Sequence, residues 1–236
     1  MTDRLKLFMQ YTHEQWESMK SMNHEVSDRP SVYFDIDGTL AKWNANATYE
    51  EIFDPRNHYF AKVIPEPMVI DLARKLTLDG VDVCIISAAQ HDTIPDKYGW
   101  IKRNLPFIED ENIFFSPLGA DKSQFIKCNA DISALIDDYN VNLREWSKTG
   151  GTPIKMINGI NSERSGFREI SFERMKEAEK RWTHYIKTSG APKEEIDKLK
   201  QKMIYNRCDN ISMAASFVEG SIHFKPLIEK NGKELE

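Results

Sequence analysis

Two aspartates, two residues apart at the end of an apolar run, are the residues of this 236-residue chain best placed to do chemistry. The run Ser31-Val32-Tyr33-Phe34 is rich in β-formers and stops at Asp35-Ile36-Asp37-Gly38, so it reads as a strand ending in a glycine turn. A strand has period two, which projects Asp35 and Asp37 from the same side, while Gly38 lets the chain turn away and leaves both carboxylates exposed. Two acids at this spacing can divide labour. One can attack phosphorus and carry the phosphoryl group as an aspartyl-phosphate, and the other can protonate the leaving oxygen and later activate water. Attack on a dianion requires its charge to be neutralised, which a hard cation held by carboxylate oxygens does alongside a lysine. Asp137 and Lys122 are the candidate suppliers.

The pattern Asp-x-Asp-Gly-Thr fixes four residue types, and at average usage it would arise by chance in a chain this long about once in a thousand. A solvated acidic turn is the bland alternative. For Asp137-Asp138 that alternative is an acidic pair capping the helix that begins near Val141. For Ser87 it is a serine satisfying local backbone after an apolar strand, and for Lys122 a solvated lysine. It is the ordered set that raises all of these above their bland readings.

The elements that must position these side chains alternate along the middle of the chain. Pro65 and Pro67 open an apolar-periodic helix through Val69, Leu72, Ala73 and Leu76 that stops at Gly80, and the strand Val81 to Ile86 follows at once. Pro95 and Asp96 start another helix carrying Tyr98, Ile101 and Leu105, and Asn112 to Phe115 is the next strand. Lys122 to Cys128 is a short helical piece. Ser133 to Ile136 is a strand ending in Asp137-Asp138, Val141 to Lys148 a helix closed by Gly150-Gly151, and Ile154 to Ile157 a fifth strand. Near-continuous apolar strands separated by helices predict a parallel sheet covered on both faces, a Rossmann-like α/β three-layer sandwich of about five strands. In such sheets ligands bind beyond the carboxyl ends of the strands, and the candidate polar residues gather at those ends.

Residues 1–28 predict a helical extension, with Thr12 as N-cap and Gln15 completing a capping box. Residues 29–158 form the core, with a small helical insert at 41–64. Residues 159–236 form a helical C-terminal extension, with one long amphipathic helix near Ser171 to Ile186 and another opened by Ala191-Pro192. A formal charge of -5 with 29% charged residues argues against an extended nucleic-acid surface. No run is long enough to span a membrane, and Met1 to Gln10 lacks the apolar core of a secretory signal. Cys84, Cys128 and Cys208 follow neither a zinc nor a disulfide pattern, so the chain is expected in the cytoplasm, with Cys84 a buried hydrophobe.

Tyr33-Phe34-Asp35-Ile36-Asp37-Gly38-Thr39-Leu40, Ile85-Ile86-Ser87-Ala88, Asp121-Lys122-Ser123 and Leu135-Ile136-Asp137-Asp138 resemble the four ordered motifs of haloacid-dehalogenase-like phosphohydrolases, over residues 32–157. The resemblance implies Asp35 as nucleophile, Asp37 as general acid and base, and Ser87 and Lys122 as phosphate binders. It implies a magnesium ion held by the Asp35 carboxylate, the Asp37 backbone carbonyl and Asp137, with Asp138 near the metal's water shell. The stretch Lys97-Tyr98-Gly99-Trp100-Ile101, followed by Leu105-Pro106-Phe107 and Ile113-Phe114-Phe115, is similar to the cytosolic 5'(3')-deoxyribonucleotidases. Those enzymes carry a helical cap whose aromatics hold the base, whereas here the insert is short. It contains Trp43, Tyr49, Phe53, His58, Tyr59 and Phe60, and these either stack a base, with Trp43 foremost, or pack a small lobe. The expected activity is therefore a magnesium-dependent phosphomonoesterase for small phosphoesters, nucleoside monophosphates first. Sugar phosphates, phosphorylated nucleic-acid ends, or a non-catalytic regulatory role are the alternatives.

Overall fold

The computed structural model describes residues 28–161, 163, 165–172 and 210–223, with scattered positions between 181 and 198. Six strands form one sheet: β1 (Ser31–Phe34), β2 (Asp82–Ala89), β3 (Ile113–Pro117), β4 (Ser133–Asp137), β5 (Thr152–Met156) and β6 (Arg168–Ile170). They run in the order β3-β2-β1-β4-β5-β6 and every pairing is parallel. This is the expected Rossmann-like α/β architecture, with β6 added beyond the expected five. Arg168-Glu169-Ile170 is three residues long and holds a single apolar side chain, too little for β6 to be read from sequence. Its place comes from pairing with Ile154 to Met156.

Period two along the strands sorts the core into two layers. Val32, Phe34, Val83, Ile85, Ala134, Ile136 and Ile154 face one side, and Tyr33, Cys84, Ile86, Phe114 and Leu135 face the other. The first face is covered by α3 (Pro67–Leu78), α4 (Ile94–Asn104) and α6 (Asn210–His223). The second is covered by α5 (Asn140–Lys148), through Leu143 and Trp146. Helix α3 begins with proline in its first turn, where no intrahelical donor is lost. It buries Val69, Ile70, Leu72, Ala73 and Leu76 at helical spacing, and the chain then turns at Gly80 with φ 86°. Strand β2 runs three residues further than expected, so Ser87 lies inside it.

The expected insert consists of α1 (Tyr49–Phe53), a single turn at Pro55–Asn57, and α2 (Tyr59–Lys62). Thr48 and Glu51 form a capping box at the start of α1. The insert leaves and returns through a short stem, in which Lys42 N–H donates to Ile64 O at 2.8 Å and Glu66 N–H to Leu40 O at 2.8 Å. Polar contacts dock it on α4, besides the packing of Phe60 against Lys97. The Trp100 indole donates to Val63 O at 2.8 Å, Arg103 to Ala61 O at 2.6 Å, and His58 meets Asp96 at 3.0 Å.

The expected helix at the N-terminus lies outside the described residues, as does most of the one near Ser171 to Ile186. Lys193 to Lys198 are helical after Pro192, where a helix was expected. Among the described residues no helix is long and apolar enough to cross a membrane. Cys84 is fully buried and burial pushes its thiol far above the usual range, as befits a core residue.

Candidate active site

The sheet order reverses between β1 and β4, and it is at such a switch point that parallel α/β sheets open a crevice for ligands. Phe34 pairs with Ile136, so the next residues on the two strands, Asp35 and Asp137, arrive side by side at the carboxyl edge. Asp35 N–H still donates to Ile136 O at 3.0 Å, which holds the acid at a fixed height above the sheet. The chain then turns through Gly38, at φ 81°, whose N–H donates to Ala41 O at 2.8 Å. The turn leaves Asp37 facing the same cleft.

Lys122 comes from the short turn after β3 and is almost fully buried between the two strand ends. Its Nζ donates to Asp35 Oδ1 at 2.7 Å and to Asp137 Oδ2 at 2.8 Å. Burial works against its charge, but Asp137 and Asp35 together hold the ammonium above its ordinary range. Asp137 is anchored further by Tyr139 N–H at 2.7 Å and Asn142 Nδ2 at 2.9 Å. Burial pushes the Asp35 carboxyl up to about 8; Lys122 pulls it down, while Asp137 and Asp37 push it up further. Asp138 is raised by burial and by Asp137.

Lys97 is a member of this cluster that motif reading did not single out. It lies on α4, is 1% exposed, and pairs with Asp37 Oδ2. It also donates to Ser87 Oγ at 2.9 Å and to Ala88 O at 2.7 Å, and its Nζ sits 4.3 Å from the centre of the Phe60 ring. Phe60 thus ties the insert to the second acid. The sequence does carry a signal for Lys97, since it precedes Trp100 and Ile101 by three and four residues and so falls on the buried stripe of its helix. Ser87 is fully buried beneath Lys97, and its hydroxyl meets that ammonium rather than lining the cleft.

The cleft itself encloses about 260 Å³, with Asp35, Asp37, Lys97 and Lys122 at its floor. Trp43, Phe53 and Phe60 of the insert also line it, as do Tyr139, Asn142, Ile160 and Asn161. Trp43 is half-buried with its ring 6.2 Å from Tyr59, and it also borders a second cavity of about 410 Å³ behind Gly38 and Thr39.

The donor set suits a hard divalent cation. Ligand oxygens of Asp35, Asp137 and Asp138 lie within 4.8 Å of one another, and no sulfur or imidazole joins them among the described residues. Among the described residues, buried Asp37 Oδ1 has no hydrogen-bond partner. Four acids, Asp35, Asp37, Asp137 and Asp138, meet three ammoniums, those of Lys97, Lys122 and Lys155, so the cluster has room for added positive charge once Asp35 is ionised.

No family model and no curated protein matches the chain. Solved structures do resemble it. A D,D-heptose 1,7-bisphosphate phosphatase from Burkholderia thailandensis is 12% identical at a TM-score of 0.45, covering 61% of this chain and 92% of that one. The corresponding enzyme of B. bronchiseptica, complexed with magnesium and phosphate, is 14% identical at a TM-score of 0.46, over 60% and 92% of the two chains. A haloacid-dehalogenase-like hydrolase from Streptococcus pneumoniae is 15% identical at a TM-score of 0.45, over 64% and 98%.

Proposed function

We propose that this chain is a magnesium-dependent phosphomonoester hydrolase of the haloacid-dehalogenase type, with nucleoside monophosphates as its leading substrate class. The observation that carries the reading is the meeting of Asp35, Asp37, Lys122 and Asp137 at one sheet edge, although 102 positions separate the first acid from the last. Asp35 is the nucleophile. Its carboxylate oxygen attacks phosphorus, the bond from phosphorus to the leaving oxygen breaks, and Asp37 gives that oxygen a proton. Asp37 then takes a proton from a water whose oxygen attacks the aspartyl-phosphate, releasing phosphate and restoring Asp35. Lys122 holds the attacking carboxylate in place and faces the phosphoryl oxygens, while Lys97 fixes Asp37 from behind. Asp35, Asp137 and the Asp37 carbonyl would hold magnesium, with Asp138 beside them; bound there, it supplies charge neutralisation for a dianionic phosphate.

Support for a nucleotide comes from the aromatic wall. Trp43, Phe53 and Phe60 line the same cleft as Asp35, and a flat ring beside a phosphate site offers a stacking surface for a base. The similarity of Lys97 to Ile101 to the cytosolic deoxyribonucleotidases points the same way. A cytoplasmic location, expected from the unpatterned cysteines, belongs to this reading.

Phosphate release should be measured with magnesium on deoxy- and ribonucleoside monophosphates, hexose phosphates and a 3'-phosphorylated oligonucleotide. Highest catalytic efficiency on a mononucleotide, abolished in Asp35→Asn, supports the reading. Preference for a sugar phosphate or a nucleic-acid end would move the substrate class. Undiminished turnover in Asp35→Asn would refute the mechanism.

A further inference from the structure

The loop after β5 carries two asparagines that converge on the carboxylate following the last motif acid. Asn158 Nδ2 donates to Asp138 Oδ2 at 2.8 Å, and Asn161 Nδ2 donates to the same oxygen at 2.7 Å. Asn158 Nδ2 also reaches Gly38 O at 2.6 Å. Its own Oδ1 accepts from Ile160 N–H at 2.9 Å, which fixes the amide's orientation. One asparagine therefore ties together the turn after the nucleophile, the acid beside Asp137 and the loop that closes the cleft. Glycine at position 38 is needed for this on grounds of space as well as φ. A Cβ there would lie 2.8 Å from Asp138 Cγ and 3.0 Å from Asn158 Nδ2, with its closest approach to Asp138 Oδ2.

Both amides land on Oδ2, and Asp138 is only 4% exposed. A nearly buried carboxylate held on one oxygen has its rotamer fixed, and Oδ1 receives no side-chain donor among the described residues. Lys155 holds the backbone carbonyl of the same residue from below. The amide dipoles offset part of the cost of keeping this group ionised beside Asp137.

We propose that Asn158 and Asn161 are positioning residues of the metal site, which aim Asp138 Oδ1 at the ion or its water shell by gripping Oδ2. The proposal rests on the magnesium reading given above. Groups that orient a ligand from behind commonly govern metal affinity by about 10–100-fold when removed. Because Ile160 and Asn161 also line the cleft, the grip links the position of the cleft wall to the state of the metal centre.

The test is magnesium binding to the full chain by titration calorimetry, with manganese binding by electron paramagnetic resonance as a second readout. Turnover is then measured as a function of magnesium concentration. Asn161→Ala removes one donor and little else. It should weaken binding roughly tenfold, with a matching rise in the magnesium needed for half-maximal activity. Asn158→Ala/Asn161→Ala should lose more, and Asn161→Gln should recover part of the loss. Unchanged magnesium affinity in Asn161→Ala would overturn the proposal. If wild type binds magnesium and the variants bind it equally well, only the positioning role fails. Absence of magnesium binding in wild type would remove the magnesium reading itself.

Discussion

Replacing Lys97 with methionine tests whether one buried ammonium holds the second acid. Methionine keeps most of the aliphatic volume in the stripe between Ile94 and Trp100 but removes the charge. Lost with it are the pairing with Asp37 Oδ2, the donations to Ser87 Oγ at 2.9 Å and Ala88 O at 2.7 Å, and the contact with the Phe60 ring at 4.3 Å. Breaking a fully buried pair by removing one partner costs about 3–5 kcal/mol, chiefly because the other charge is stranded. The Asp37 side chain keeps 20% exposure, so water can re-solvate it in part, and about 2–4 kcal/mol is the expected loss. The assay is urea unfolding of wild type, Lys97→Met, Asp37→Asn and the double variant, all without metal and with the m-value checked for constancy. Removing both partners should cost less than the sum of the single losses, giving a coupling energy of about 1–3 kcal/mol. A coupling below about 0.5 kcal/mol would mean that the two groups do not sense each other, and Lys97 would then be packing alone.

Asp37→Asn should let the aspartyl-phosphate form but not hydrolyse, so a single burst of leaving group without steady turnover is expected, and uninterrupted turnover would rule out its role. Turnover should vanish on exhaustive chelation and return with magnesium; full activity in metal-free protein would contradict a magnesium site at Asp35 and Asp137 with Asp138 beside them. In metal-free protein the folded state keeps Asp35 protonated up to about pH 8, whereas the unfolded chain releases that proton near the ordinary aspartate value of 3.8. Stability from this group is therefore full at low pH and is lost as pH rises through that window. Comparison of melting temperatures should show wild type falling more steeply than Asp35→Asn between pH 5 and 8, in the range these two values bracket, and parallel curves would refute the burial effect. Trp43→Ala should reduce catalytic efficiency on a deoxynucleoside monophosphate by roughly five- to 150-fold, about 1–3 kcal/mol, while sparing an aryl phosphate. An equal loss on both, with a lower melting temperature, would make Trp43 a packing residue beside Tyr59.

The strand ending at Asp35, the helix after Pro67 and the acid pair Asp137-Asp138 were legible in the sequence because each depends on local rules: period two, a first-turn proline, a glycine turn. Those rules also placed the polar residues at strand ends, since an apolar run must stop where a charge begins. The strand order was not local. Nothing in the sequence alone says that β4 pairs with β1, yet that pairing brings Asp137 beside Asp35 and creates the space that Lys122 fills. Ser87 shows the limit from the other side, since its motif position was readable while its burial under Lys97 required the packing of α4 on the sheet. The same holds for Asn158 and Asn161. Asparagines in a loop read as turn formers, because their side chains commonly satisfy nearby backbone. Only the tertiary fold carries that loop over Gly38 and Asp138, where an amide finds a buried carboxylate instead. Sequence fixed which chemical groups were available and roughly at which height of the sheet; the three-dimensional pairing decided which of them touch, because contact between residues 20 to 120 positions apart is set by strand order and helix packing rather than by any local preference.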